Sequence, residues 1–217
     1  MPPHPSKVRP KPLRETPQEV RRLRDKRRLE VPVGEDFWVF GYGSLMWNPG
    51  FPHLEVRLAR LHGFHRRFCI YSHRYRGTPE VPGLVFGLDR GGSCRGLAFR
   101  VPAAEGETVM EYLYDREMVT GVYFPRWVPL TSDAGPLSAV TFVVDHAHFQ
   151  YAGHLTPEEM VEIVLQGEGE SGTCGEYLAN TVYHLMALGL ADAQLQTLLR
   201  LVEERCGRRL LDHPHLE

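Results

Sequence analysis

The segment Phe40-Gly41-Tyr42-Gly43-Ser44-Leu45-Met46-Trp47-Asn48-Pro49 sets two glycines around a tyrosine directly after an apolar run. With no Cβ at 41 and 43, successive backbone N–H groups can converge, and such a nest binds an anion. The stretch therefore reads as a carboxylate or oxyanion site at a strand end, with an ordinary tight turn as the plainer alternative. It is not a P-loop, because no Gly-Lys-Ser/Thr follows, and it lacks the third glycine of a dinucleotide fingerprint. Ser44 has no Gly-x-Ser-x-Gly frame, so its hydroxyl reads as a binding or structural group rather than a nucleophile. Arg116-Glu117 closes a helical pattern and, taken alone, reads as a surface ion pair. Arg74 and Arg76 lie in a Gly/Pro-rich loop, either as guanidinium forks for an anion or as solvated charges. Tyr177 opens a late helix, where its hydroxyl can meet a ligand or its ring can pack. The alternating imidazoles of Asp145-His146-Ala147-His148 and His213-Pro214-His215 lack a third ligand, so no metal is expected and solvated surface is the preferred reading.

Those residues sit in a chain whose composition narrows the classes open to it. Its 217 residues, 42% hydrophobic and 24% charged, suit one globular domain with an appendage. The net charge of -2 hides an asymmetry: residues 1–30 hold ten Lys and Arg against four Asp and Glu, which leaves 15 against 23 in the remainder. Cys69, Cys94, Cys174 and Cys206 form no C-x-x-C pair, which argues against a zinc ribbon or thioredoxin motif and suits a reducing compartment. The N-terminus is followed by no apolar signal core, and no stretch approaches the roughly 18 apolar residues of a membrane span. A soluble, cytoplasmic protein with no membrane partner is expected.

The elements that must position these groups follow from periodicity and punctuation. Residues 1–15, with five of the 17 prolines, are expected to be a flexible arm. Thr16-Pro17-Gln18-Glu19 resembles a capping box opening a short helix to about Leu29, so residues 1–30 form a basic arm and helix and residues 31–217 the main domain. The helix reads as charged and solvated, packed by Val20, Leu23 and a few neighbours; binding of nucleic acid through its Arg-rich run is disfavoured but left open. FWVFGYGSL reads as a buried strand entering a tight loop. Val56–Leu61, Arg67–Tyr71, Gly83–Leu88 and Cys94–Val101 read as separate short strands. A helix over Pro102–Glu117, strands over Tyr123–Thr131 and Ala139–Val144, and helices from Thr156 to Leu165, Glu176 to Leu188 and Asp192 to Cys206 complete the pattern. The class is α+β: a small strand-rich, barrel-like core with flanking helices.

Six segments in order resemble the γ-glutamylcyclotransferase superfamily, specifically its ChaC-like, glutathione-specific branch. FGYGSLMWNPGF is similar to the YGSL signature, and Gly63 to Phe68 to a G-x-x-R-x-F strand. Arg76 to Gly83 resembles R-G-T-x-x-x-P-G, Gly96 to Arg100 the next strand, Tyr112 to Glu117 Y-L-x-x-R-E, and Ser171 to Leu178 S-G-x-x-x-E-Y-L. Thr120-Gly121-Val122-Tyr123 departs from the Gly-Gly-Tyr common in the family, which puts the loop after Glu117 in question. The first 30 residues match nothing in the pattern.

The resemblance implies that Glu117 is the catalytic acid/base and that Tyr42, Gly43, Ser44 and Leu45 hold the γ-glutamyl group of a small-molecule substrate. Arg74 and Arg76 are candidates for the glycine carboxylate of glutathione, and Tyr177 for a hydrogen bond to substrate. The implied reaction closes the γ-glutamyl chain to 5-oxoproline and releases Cys-Gly, by attack of the substrate's own α-amine on its γ-carbonyl. That chemistry requires no protein nucleophile, metal or cofactor; one carboxylate between the two nitrogens can make both proton transfers. Cyclisation of other γ-glutamyl amines or dipeptides, and a non-catalytic γ-glutamyl-binding module, stand as alternatives.

Overall fold

The computed structural model describes residues 16–211, and the expected arm lies outside them. These residues gather into two compact units, one of residues 16–67 and 86–151 and the other of residues 68–85 and 152–211. Among them no helix is long and apolar enough to cross a membrane.

The first unit is organised by a closed barrel with the neighbour order β1-β3-β2-β4-β5. β1 is Phe37–Gly41, β2 Glu55–Ser72, β3 Gly83–Val101, β4 Tyr123–Ser132 and β5 Gly135–Val144; β2 and β3 belong to this unit through residues 55–67 and 86–101. β1 runs antiparallel to β3, with Val39 opposite Phe99, and parallel to β5, with Trp38 opposite Ala139. β4 and β5 form an antiparallel hairpin in continuous register from Tyr123↔Val144 to Ser132↔Gly135. The α+β class with a strand-rich barrel is as the residue pattern implies. The four short strands expected between 56 and 101 are instead two long ones. The glycines read there as breaks lie inside them: Gly63, Gly91 and Gly92 have φ of 83°, 97° and 66°. Glycine at positive φ bends a strand without ending it, which is how long strands curl around a small barrel.

Helix α2, Gly106–Glu117, packs on this barrel. Its Val109, Met110, Leu113 and Tyr114 join Phe37, Val39, Phe99, Val101, Val140 and Phe142 in one buried core. The strand residues of that cluster are alternate positions on β1, β3 and β5, as a one-sided apolar face requires. Helix α1, Pro17–Lys26, opens with the expected capping box: the Thr16 side chain accepts from the Glu19 amide while Glu19 reaches back to the Thr16 N–H. It is not merely solvated. Arg24 pairs with Glu111 at 2.7 Å and with Asp115, Arg28 pairs with Glu111, and Arg27 pairs with Asp145 at 2.7 Å.

In the second unit, helices α3 (Pro157–Gln166), α4 (Cys174–Ala187) and α5 (Ala193–Cys206) pack on one another. Ile163, Val164, Leu178, Leu185, Leu198 and Val202 are among the side chains buried in this unit. α3 and α4 both carry capping boxes, Thr156 with Glu159 and Thr173 with Glu176, and Asp192 caps α5. The two-residue strands β6 (Glu168–Gly169) and β7 (Gly172–Thr173) form a hairpin leading into α4. The thiol of Cys174 donates to the Leu84 carbonyl at 3.2 Å and accepts from its N–H. Burial pushes that thiol up to about 12, against the opposing Leu84 N–H and Arg76 charge.

Candidate functional site

The loop after β1 is shaped by close approach rather than by a nest. Neither Gly41 nor Gly43 lies at positive φ, so the alternating left-handed backbone of an anion nest is not formed. Gly41 is needed because a Cβ there would stand 3.0 Å from Leu45 Cβ and 3.3 Å from the Phe99 ring. A Cβ on Gly96 would overlap the Gly41 carbonyl. The chain instead turns at Gly43 (φ −135°, ψ −134°) into a 3-10 turn over Ser44–Met46. Met46 N–H closes it on Gly43 O at 2.9 Å, and Asn48 N–H reaches Ser44 O at 2.9 Å. The leading amides of such a turn have no partner within it, which leaves them suited to an anionic group. Tyr42 and Leu45 are buried, whereas Ser44 is half-buried. Arg66, itself buried, donates to Tyr42 O and to Arg95 O at 2.8 Å and so fixes the entry to the loop.

Arg116 ties that loop to the end of α2. Its Nη2 donates to Ser44 Oγ at 2.9 Å, and its Nη1 to Asn48 O at 2.7 Å and Tyr112 Oη at 2.8 Å. Its Nε stands 3.4 Å from Glu117 Oε1, longer than a hydrogen-bonded ion pair of about 2.7–2.9 Å. The arginine thus spends its close donors on the loop and touches the acid only loosely. Glu117 keeps 17% of its side-chain surface open. Burial raises its pKa above the ordinary carboxylate value, and the Arg116 charge opposes this without reversing it. The acid also ends a helix, where the backbone dipole works against a negative charge. Tyr42, Gly43, Ser44, Leu45 and Glu117 are therefore brought into one cluster, bridged by Arg116.

Arg74, Arg76 and Tyr177 come together in the other unit. Segment 74–77 lies backbone against backbone on residues 167–171: Glu170 N–H donates to Arg74 O and Ser171 N–H to Tyr75 O, both at 2.9 Å. The contact is close enough that a Cβ on Gly169 would stand 2.7 Å from the Gly77 nitrogen. Arg76 donates to Ser171 O and, at 3.4 Å, to Thr173 O, and its guanidinium lies 5.0 Å from the Tyr177 ring centroid. The Tyr177 ring stacks on Phe68 at 5.9 Å. Arg74 bonds Glu170 at 2.8 Å, and both side chains are well exposed. Arg76 and Tyr177 thus form a packed pair, while Arg74 is engaged at the surface.

Two residues outside the sequence-derived set belong to this account. Arg66 occupies the arginine of the G-x-x-R-x-F segment, and only its burial reveals that it holds the Tyr42 carbonyl. His148, assigned to solvated surface, is buried, with Nε2 2.9 Å from Thr120 O; His146 meets Asp89 at 2.6 Å and stacks on Tyr151. The segment following β5 folds back, so His146 finds a partner on β3 and His148 one in the loop before β4. Among the described residues, no group of three or more His, Cys, Asp and Glu gathers to hold a metal.

The model of the ChaC-like protein family matches residues 37–205, from β1 almost to the end of α5. The chain belongs to the ChaC-like family. This ChaC-like chain is 36% identical over 176 residues to the glutathione-specific gamma-glutamylcyclotransferase of Escherichia coli (strain K12), covering 81% of itself and 76% of that protein. It is 32% identical over 171 residues to glutathione-specific gamma-glutamylcyclotransferase 1 of Homo sapiens, covering 76% and 77% of the two chains. A crystal structure of a gamma-glutamylcyclotransferase specific to glutathione from yeast superposes with a TM-score of 0.71, over 82% of the ChaC-like chain and 99% of the other. At 23% identity that last likeness speaks for the fold.

Proposed function

We propose that this ChaC-like chain cleaves glutathione by cyclising its γ-glutamyl group, releasing 5-oxoproline and Cys-Gly. The observation that carries the reading is Glu117: a carboxylate that burial inclines to hold a proton, still partly open, and linked through Arg116 to the Ser44 loop. The α-ammonium of the substrate gives a proton to the Glu117 carboxylate, and the freed amine attacks the γ-carbonyl carbon. The new C–N bond closes a five-membered lactam, and the oxygen carries the developing negative charge. As the bond to the cysteine nitrogen breaks, Glu117 returns the proton to that nitrogen, and the second proton that the attacking nitrogen sheds as it becomes the lactam N–H follows the same route, so Cys-Gly leaves as an ammonium. One carboxylate serves both nitrogens, so no net proton is gained or lost.

Amides leading into the Ser44–Met46 turn would hold the α-carboxylate or share the oxyanion, worth most where water is excluded. Holding the flexible chain in attack geometry exploits the intramolecular advantage, up to roughly 7–11 kcal/mol in favourable systems. Of the two loop arginines, Arg76 is the candidate for the glycine carboxylate, since Arg74 is engaged by Glu170 whereas Arg76 bonds backbone carbonyls beside Tyr177. The family relatives named for glutathione support this substrate over other γ-glutamyl amines. Commitment of Arg24, Arg27 and Arg28 to acidic side chains supports a small-molecule role over nucleic-acid binding. None of the four cysteines is in a disulfide, in keeping with a reducing compartment.

Release of 5-oxoproline from reduced glutathione, measured beside γ-glutamyl-alanine, tests the reading. Turnover of glutathione well above the dipeptide is expected. Turnover of the dipeptide alone would replace the substrate, and no 5-oxoproline from either would overturn the reaction.

A further inference from the structure

We propose that Arg27, which lies before the family-matched residues, is a positioning residue for the reaction, holding the segment after Glu117 so that its carboxylate stays in place. The inference rests on the assignment of Glu117 as the acid/base. Glu117 is the last residue of α2, and the chain beyond it has little structure of its own: Met118 caps the helix and Gly121 turns at φ 74°. Four successive carbonyls, from Thr120 to Tyr123, are caught from outside this run. Thr120 O lies 2.9 Å from His148 Nε2, and Val122 O accepts the Asp145 N–H at 2.8 Å. Gly121 O accepts from Arg27 Nη1 at 2.6 Å, and Tyr123 O accepts from the same nitrogen at 3.2 Å.

The other end of the guanidinium binds Asp145 Oδ2 at 2.7 Å, and its carbon lies 3.8 Å from the Phe124 ring centroid. Arg27 and Asp145 each keep only 13% of their side-chain surface exposed. A planar fork that meets two carbonyls, a carboxylate and an aromatic face at once is a role lysine cannot fill. The same N-terminal segment grips α2 on the near side of the acid. Leu29 N–H donates to Tyr114 Oη at 2.7 Å, and Arg24 reaches Glu111 and Asp115. Glu117 is thus bracketed, with Tyr114 and Asp115 held before it and Gly121 and Tyr123 after it. This accounts for how a loop that departs from the family's Gly-Gly-Tyr still presents the acid: the restraint comes from a helix outside the family pattern.

The test compares Arg27→Ala and Arg27→Lys with the wild type in the full chain. Each is assayed for 5-oxoproline release from glutathione at a temperature where circular dichroism shows it fully folded. Displacing a catalytic group by about 1 Å can cost up to about a hundredfold. Arg27→Ala is therefore expected to lower kcat about ten- to a hundredfold with KM within about twofold. Arg27→Lys, which keeps the charge facing Asp145 but not the fork, should fall between. Amide hydrogen exchange supplies a readout independent of activity: exchange across residues 118–123 should quicken in Arg27→Ala while α3 to α5 stay unchanged. A folded Arg27→Ala with wild-type kcat, or a loss matching only its unfolded fraction, overturns the proposal, as does unchanged exchange at 118–123. If the wild type itself makes no 5-oxoproline, the reaction assignment fails, and the exchange result alone decides whether the bracket exists.

Discussion

Replacing Glu117 with Gln keeps the side chain's shape and removes its ability to move a proton, and its two expected effects run in opposite directions. Activity should fall steeply, because one group is asked for both proton transfers. General acid–base catalysis contributes about 10²- to 10⁴-fold, so kcat should drop by at least about a hundredfold, or roughly 3–5 kcal/mol of barrier over that range. Stability, however, should rise at neutral pH. A carboxyl whose pKa is raised by burial keeps its proton in the folded state over a range where the unfolded chain, near about 4.3, has already lost it. Folding at pH 7 therefore works against a charge that Gln does not carry. Below about pH 4 both states are protonated and the gain should vanish.

For a chain of this length each kcal/mol recovered moves Tm by about 2–4 °C. The competing view, that Arg116 and Glu117 are a structural ion pair, predicts the opposite sign, since removing one partner leaves a half-buried arginine unpaired. The geometry decides between them: Arg116 makes its short bonds to Ser44, Asn48 and Tyr112 and stands 3.4 Å from the acid. Thermal melts at pH 7 and pH 4 beside the 5-oxoproline assay give both readouts. A Glu117→Gln protein that melts lower at pH 7, or turns over at the wild-type rate, would refute this reasoning.

The loop carrying Arg76 should be intolerant of any side chain at Gly83, where a Cβ would overlap the Arg76 carbonyl oxygen and lie 2.8 Å from its carbon. Since Gly83 is not at positive φ, the cost of Gly83→Ala is steric overpacking, about 1–3 kcal/mol, seen as a lower urea midpoint; an unchanged midpoint would mean the loop yields freely. Asp89 supplies a pH-dependent share of stability. Burial pushes its pKa up, but the Arg90 N–H, His146, Tyr151 and Arg67 together outweigh this and hold it below the ordinary value. Its contribution should be present above the unfolded Asp pKa, about 3.9, and be lost as pH falls through the lower folded value. The stability gap between wild type and Asp89→Asn in urea titrations should thus be open at pH 7 and shrink towards about pH 3; a gap constant across that range would exclude the carboxylate's charge as its source.

Local chemistry in the sequence was a good guide wherever structure is set within a few residues. The Thr16 and Thr156 capping boxes stand where the sequence announces them, because a cap depends only on its own turn, whereas the cap at Thr173 escapes the sequence reading and the helix it opens starts two residues before the expected Glu176. Strand lengths were not legible: Gly63, Gly91 and Gly92 look like punctuation, and only pairing with neighbouring strands reveals them as bends. The same limit applied to the site. Glu117 stands out as a candidate through its motif, but how far it is buried depends on how α2 lies on the barrel. Arg66 and Arg27 act through carbonyls 24 and 94 residues away, a relation no local spacing encodes.

The Cys174 thiol, enclosed at the head of α4 and bonded both ways to Leu84, has a consequence for a protein whose proposed substrate is itself a thiol. Thiol–disulfide exchange proceeds through the thiolate, and a group pushed up to about 12 supplies almost none at neutral pH. As oxidised glutathione accumulates under oxidative stress, Cys174 is therefore expected to form neither a mixed disulfide nor a sulfenic acid while the fold stays closed. The Leu84–Cys174 contact is thereby insulated from the redox state of the pool that the protein is proposed to consume.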